Sequence, residues 1–250
     1  MKAWLCVLIV ALAGQAAAQC RQALALGLDV SGSVDAREYR LQIDGVRYAL
    51  GTGAVRQALT MLPGRPVALM VYEWSGPDDS AVLLPWTHIT SERVLDAAIA
   101  QIGLATRRDA TPGTALGRAM LDGAAFLQQR GDCDRLVLDI SGDGKNNLGP
   151  RPPDVQAQIA ARGITVNALV IGADAPSIGD TRQAEIAELS SYFRTQVITG
   201  PDAFVETALG FEDYGPALAR KLERELQTLV FGALAPRGAQ IRPNFPLRTQ

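Results

Sequence analysis

Three short stretches of this chain supply side chains able to bind a metal ion. "LGLDVSGSVD" (26–35) ends an apolar run in Asp29 and then places Ser31 and Ser33 at two-residue steps. "DATPGTALGRAM" (109–120) sets Thr114 after a Pro-Gly turn, with Thr111 as a less well-spaced alternative. "LDISGDGKNN" (138–147) puts Asp143 between two glycines. Asp29, Ser31, Ser33, Thr114 and Asp143 offer only hard oxygen ligands, without His or Cys. Such a set suits Mg2+, with Mn2+ or Ca2+ possible, and disfavours zinc or copper. Each string also has a plainer reading: Ser33 or Asp35 could simply cap a helix, and Ser-Gly-Asp-Gly is an ordinary tight turn.

The elements that must position these residues alternate along the chain. Apolar runs at 23–30, 66–74, 135–140, 164–172 and 195–200 read as strands, and 81–89 as a hairpin-like partner of 66–74. Segments 35–50, 91–102, 114–130, 154–163, 182–193 and 213–230 carry helical apolar spacing. Apolar strands separated by amphipathic helices imply an α/β fold: a doubly wound, mostly parallel sheet with helices on both faces. Ligands in such folds sit beyond the carboxyl ends of strands at a topological switch point. Asp29 and Asp143 both fall at such ends.

The chain has 250 residues, of which 48% are hydrophobic, enough for one sizeable core. Residues 1–18 have the layout of a secretory signal peptide: Lys2, an apolar core, and Ala16-Ala17-Ala18 before the expected cleavage point. The apolar core is too short for a permanent membrane span, and no later segment supplies one. A lipidated Cys20 is the lesser alternative, because Gln19 stands where a lipoprotein signal wants a small residue. The mature protein is therefore expected to be periplasmic or secreted. Removing residues 1–18 leaves 23 basic against 26 acidic residues, which argues against nucleic acid as a partner. Residues 19–230 read as one domain and 231–250 as an irregular tail.

"DVSGS" resembles the Asp-x-Ser-x-Ser signature of von Willebrand factor A domains, which carry a metal-ion-dependent adhesion site. "PGTALGRAM" is similar to that family's threonine loop and "SGDG" to its later Asp-Gly loop, in the same order. "VYEWSGP", "VLLPWT", "DISGDGKNN" and "GPDAFV" resemble a bacterial exported subfamily of these domains without an assigned function. The resemblance spans about residues 22–230. It implies hydroxyl ligands at Ser31, Ser33 and Thr114, with Asp29 and Asp143 acting directly or through water. It also implies a partner protein that completes the coordination with a carboxylate.

The cysteines left after export are Cys20 and Cys133. An oxidising compartment favours their pairing. If Asp29 and Asp143 end neighbouring parallel strands, as the resemblance implies, both cysteines lie at the opposite end, within reach of each other.

Other chemistry has weaker support. His88 is the single histidine, which excludes a zinc cluster of histidines, and no Gly-x-Ser-x-Gly elbow is present. A metal-dependent hydrolase or phosphoryl-transfer enzyme would draw its base from Asp109, Asp139 or Lys145, which share no recognised catalytic spacing. The expectation is a binding module rather than an enzyme. "GTGAV" (51–55) follows a helix and reads as a helix end, while Trp74 and Trp86 read as core before binding surface. Asp139, a carboxylate inside an apolar strand, reads either as support for the metal site or as a partner of a neighbouring loop.

Overall fold

The structure, a computed structural model, describes residues 20–172 and 180–234. The expected signal peptide and residues 235–250 lie outside them. Six strands form one sheet: β1 (Gln22–Asp29), β2 (Val67–Trp74), β3 (Ser80–Ile89), β4 (Leu136–Gly142), β5 (Ile164–Ile171) and β6 (Val205–Ala208). Their spatial order is β3-β2-β1-β4-β5-β6. All neighbours pair in parallel except the β2–β3 hairpin at one edge. The strand order reverses at β1, so the switch point lies between the carboxyl ends of β1 and β4.

β1, β2 and β5 are buried along their whole length, which explains why they read as continuous apolar runs. Alternate residues serve two cores. Leu24, Leu26 and Leu28 face α1 (Ala36–Gly51), α2 (Gly53–Thr60), α3 (Glu92–Gly103) and α7 (Tyr214–Leu234). Ala23 and Ala25 face α4 (Leu116–Gln128), α5 (Pro152–Ala160) and α6 (Asp180–Gln196). Trp74 is fully buried in this second core, and Trp86 packs against its margin. Among the described residues no helix is long and apolar enough to cross a membrane.

Two differences from the sequence reading are local. Residues 195–200 do not form the last strand. α6 continues to Gln196, Val197 is buried in the core, and only Thr199 bridges to Val166. The last strand is Val205–Ala208, paired with Ala168–Ile171. "GTGAV" holds both the end of α1 and the start of a separate helix, α2, because Thr52 closes α1 and also opens α2. In addition, α7 runs to Leu234, into the stretch read as tail.

At the amino-terminal end of the sheet Cys20 and Cys133 form a disulfide, with a Cα–Cα distance of 4.3 Å. It lies beside the start of β1, at the far end of the strand from Asp29.

Candidate metal centre

β1 ends in Asp29, whose carboxylate Oδ1 accepts a hydrogen bond from the Ser31 N–H at 2.9 Å. That turn brings Ser31 back over the strand end, and the Val34 N–H closes it on the Ser31 carbonyl at 3.0 Å. Helix α1 then starts with Asp35 as N-cap, in a reciprocal capping box with Glu38. With Asp35 in that role, Ser33 is left free, and its hydroxyl donates to Asp143 Oδ1 at 2.9 Å.

The second loop is held against the first by backbone contacts. The Gly32 N–H donates to the Pro112 carbonyl at 3.0 Å, and a Cβ on Gly32 would lie 2.9 Å from that same oxygen. Only glycine allows this approach. The contact sets Thr114 Oγ1 at 3.3 Å from Ser31 Oγ, which is itself 3.3 Å from Ser33 Oγ. Thr111 is turned elsewhere, its N–H donating to Asp79 Oδ2 at 2.6 Å.

The third loop follows β4. Asn147 clamps Thr114 from both sides: its Oδ1 accepts from the Thr114 N–H at 2.8 Å, and its own N–H donates to the Thr114 carbonyl at 2.9 Å. Asn146 Oδ1 accepts from the Gly117 N–H at 3.1 Å. The α4 N-cap, Ala115, has no side chain able to cap, so these two asparagines do that work from another loop.

Asp29, Ser31, Ser33, Thr114 and Asp143 therefore converge at the switch point. Asp29 and Ser31 are fully buried, Thr114 is nearly so, Asp143 is half-buried and Ser33 is exposed. The cluster thus has a closed floor and an open side. Asp29 Oδ2 is buried with no hydrogen-bond partner. Burial, and then the Asp143 carboxylate beside it, push the Asp29 carboxyl up to about 8. Burial raises Asp143 as well, against the Ser33 hydrogen bond. Two close carboxylates, one with an orphaned oxygen, need a cation to be ionised together. Three hydroxyls complete an all-oxygen donor set that fits a hard divalent ion.

Support behind the site comes from residues that sequence reasoning did not single out. Asp79 accepts hydrogen bonds from Ser75 Oγ at 2.7 Å and from the Thr111 N–H, and it pairs with Arg108. Arg108 Nε also reaches Glu73 Oε2 at 3.2 Å, and Tyr39 donates to the other Glu73 oxygen. The Ala115 N–H donates to the Ser75 carbonyl at 2.7 Å. The Thr114 loop is thus pinned to the end of β2. Only the paired asparagines after Ser-Gly-Asp-Gly carried a sequence signal, as favoured capping residues.

The groups weighed as catalytic bases do not join the cluster. Asp109 is exposed, and Lys145 pairs with Glu188 at 2.5 Å. Asp139 supports neither the metal site nor a loop, because it stands in mid-strand under α7, where it pairs with Lys221. His88 lies near Cys20 and Asp132. The Cys20 sulfur is already bonded to Cys133, so that trio offers no thiolate to a metal.

Residues 19–230 match the model of the family described as "Protein of unknown function (DUF1194)". No curated protein matches the chain. Among solved structures, proximal thread matrix protein 1 from the mussel byssus aligns with a TM-score of 0.58 at 13% identity, over 84% of this chain and 47% of that one. Another structure of that protein, described with a zinc-occupied MIDAS motif, gives 0.57 at 13% identity. The pilus adhesin SpaC from Lactobacillus rhamnosus GG gives 0.55 at 14%, over 85% of this chain and 30% of that one. A von Willebrand factor type A protein from Catenulispora acidiphila gives 0.52 at 16%, over 84% and 43%. The chain spans about half the length, or less, of these structures. At such identities the likeness shows the fold, which is of von Willebrand factor A type.

Proposed function

Because the chain belongs to the family described as "Protein of unknown function (DUF1194)" and folds as a von Willebrand factor A domain, we propose that it is an exported, metal-dependent protein-binding module. Asp29, Ser31, Ser33, Thr114 and Asp143 would hold one divalent ion, Mg2+ in the first instance. When bound, the ion would supply a positive charge able to attract an oxygen ligand from a partner. The observation that carries this reading is the partnerless buried oxygen of Asp29, in a cluster that also gathers Asp143 and three hydroxyls. The zinc-occupied MIDAS motif described for a structure of the same fold adds to it.

The chain's own residues set how a partner would be met. Asp29 and Ser31 close the buried side, so a ligand arrives from the side of Ser33 and Asp143. A carboxylate of a partner protein matches the charge and hardness of the exposed position. Lys145, on the loop next to Asp143, adds positive charge at the rim, although Glu188 partly neutralises it. Among the described residues no imidazole or thiolate lies in the cluster to serve as base or nucleophile, and this favours binding over turnover.

Export through residues 1–18, with 19–230 as the binding domain, belongs to the same proposal. The Cys20–Cys133 disulfide supports it, since such bonds persist in the periplasm and outside the cell. The test is co-purification from the periplasmic fraction with Mg2+, with chelator, and with Thr114→Ala. A partner held only by the wild-type protein in Mg2+ is the expected result. A partner whose binding ignores both chelator and Thr114→Ala contradicts the proposal.

A further inference from the structure

The sheet face turned to α7 carries a buried ionisable cluster that the metal centre does not use. Asp139 stands in mid-strand in β4, in register with Leu26 of β1 and Asn167 of β5. α7 lays Lys221 and Glu225, one turn apart, over it. The side chains of Lys221, Asp139 and Glu225 are 0%, 4% and 1% exposed. Lys221 Nζ lies against Asp139 Oδ1 and 3.7 Å from Glu225 Oε2. Gln22 Nε2 donates to Glu225 Oε1 at 2.7 Å and Asn167 Nδ2 to Oε2 at 3.3 Å, so Glu225 is held facing the pair. The ring of Phe204 covers the amine, 5.3 Å from its centroid.

Neither the Asp139 oxygens nor Lys221 Nζ is hydrogen-bonded to a group outside this cluster. A buried ion pair left unsatisfied in this way is costly, and apolar residues of equal volume would serve stability better. The arrangement does suit a reaction: an amine in contact with a carboxyl group, beside an acid, in a buried site.

We propose that Lys221 and Asp139 condense to a side-chain amide that joins α7 covalently to β4, with Glu225 moving the protons. The Nζ lone pair adds to Asp139 Cγ, the bond from Cγ to the carboxyl hydroxyl breaks, and one water leaves. Ammonium plus carboxylate contains the same atoms as amide plus water, and the two charges cancel, so no oxidant or co-reactant is needed. Attack requires the free amine and the neutral acid. Transfer of one proton from Nζ to the carboxylate within the contacting pair supplies both. Burial above all pushes Glu225 up to about 8. Glu225 therefore stays a neutral acid at neutral pH, able to protonate the departing hydroxyl and take a proton from Nζ. Fixing amine and carboxyl in contact removes the entropy cost of bringing them together, and burial limits access of the water that hydrolysis would need.

Intact-mass spectrometry of the folded mature protein tests this. The expected mass is below the sequence mass by one water, beyond the two hydrogens lost to the disulfide. Proteolysis after reduction should yield one product containing both Asp139 and Lys221. Lys221→Arg keeps a cation but should show no loss of water. Glu225→Gln keeps the volume without the acid and should slow formation by about a hundredfold or more. Folded wild-type protein of full sequence mass, with Lys221 recovered in a linear peptide, would overturn the proposal. Formation at the wild-type rate in Glu225→Gln would overturn the part given to Glu225.

Discussion

Electrostatics at the metal centre turn on one buried carboxylate. Asp29 is fully buried beside Asp143, with one oxygen partnerless, so in the ion-free protein its charge works against folding. Asp29→Asn keeps an oxygen for the Ser31 N–H and removes the charge. Its melting temperature in chelator should equal or exceed that of wild type, while the rise that Mg2+ or Mn2+ gives wild type should vanish. Thermal unfolding in chelator and in Mn2+ checks both; an Asp29→Asn protein still stabilised by Mn2+ would contradict the assignment. Asp79 acts with the opposite sign. Burial alone would raise its pKa, but hydrogen bonds from the Thr111 N–H, Ser75 and Arg108 outweigh this and hold it well below the ordinary 3.8. A depressed carboxylate stabilises the fold above its unfolded value, and that contribution is lost as pH falls through the folded one. Asp79→Asn should therefore cost about 1–3 kcal/mol at neutral pH. The gap to wild type should close as pH drops below 3.8. Urea titrations of both proteins across that range read it directly.

Loops at the strand ends do the assembling. Gly117, in the first turn of α4, shows how closely they fit: a Cβ there would lie 2.2 Å from the Pro150 carbonyl oxygen. Gly117→Ala gains helix propensity but forces α4 away from the loop that carries Asp143, Asn146 and Asn147. The backbone clash dominates, so the variant should lose about 1–3 kcal/mol in denaturant titration. It should also bind the ion more weakly. These loops were legible in the sequence because each follows an apolar strand or opens a helix with a turn residue. The final strand was not. "TQVITG" is rich in β-branched residues, yet Val197 closes α6 against the core, whereas the real strand, Val205–Ala208, is short and half-buried at the sheet edge. Edge strands of that length leave little periodicity to read. Asp79, Glu73 and Arg108 were equally hidden, because their joint position depends on how the β2–β3 turn meets the Thr114 loop.

Across the whole molecule, the candidate metal centre and the disulfide lie at opposite ends of the sheet. The disulfide joins residues 113 apart in sequence at the amino-terminal end, away from the metal centre. On the chain-entropy account a loop of that length contributes about 5 kcal/mol. Cys133→Ser should lower stability by roughly that amount, measured by denaturant unfolding, and leave ion affinity unchanged. Both cysteines were placed correctly, since each lies a strand's length before an aspartate and the family resemblance put those aspartates at the ends of neighbouring strands. Asp139 was misplaced, because its partners Lys221 and Glu225 sit on α7, far along the chain, and only the folded topology brings them together. The central claim, that the switch point of this sheet holds a divalent ion through Asp29, Ser31, Ser33, Thr114 and Asp143, is tested most directly by calorimetry. Mg2+ and Mn2+ are titrated into the metal-stripped mature protein and into Asp29→Ala. The account predicts one ion bound by wild type and no measurable binding by the variant, and equal affinity in the two proteins would contradict it.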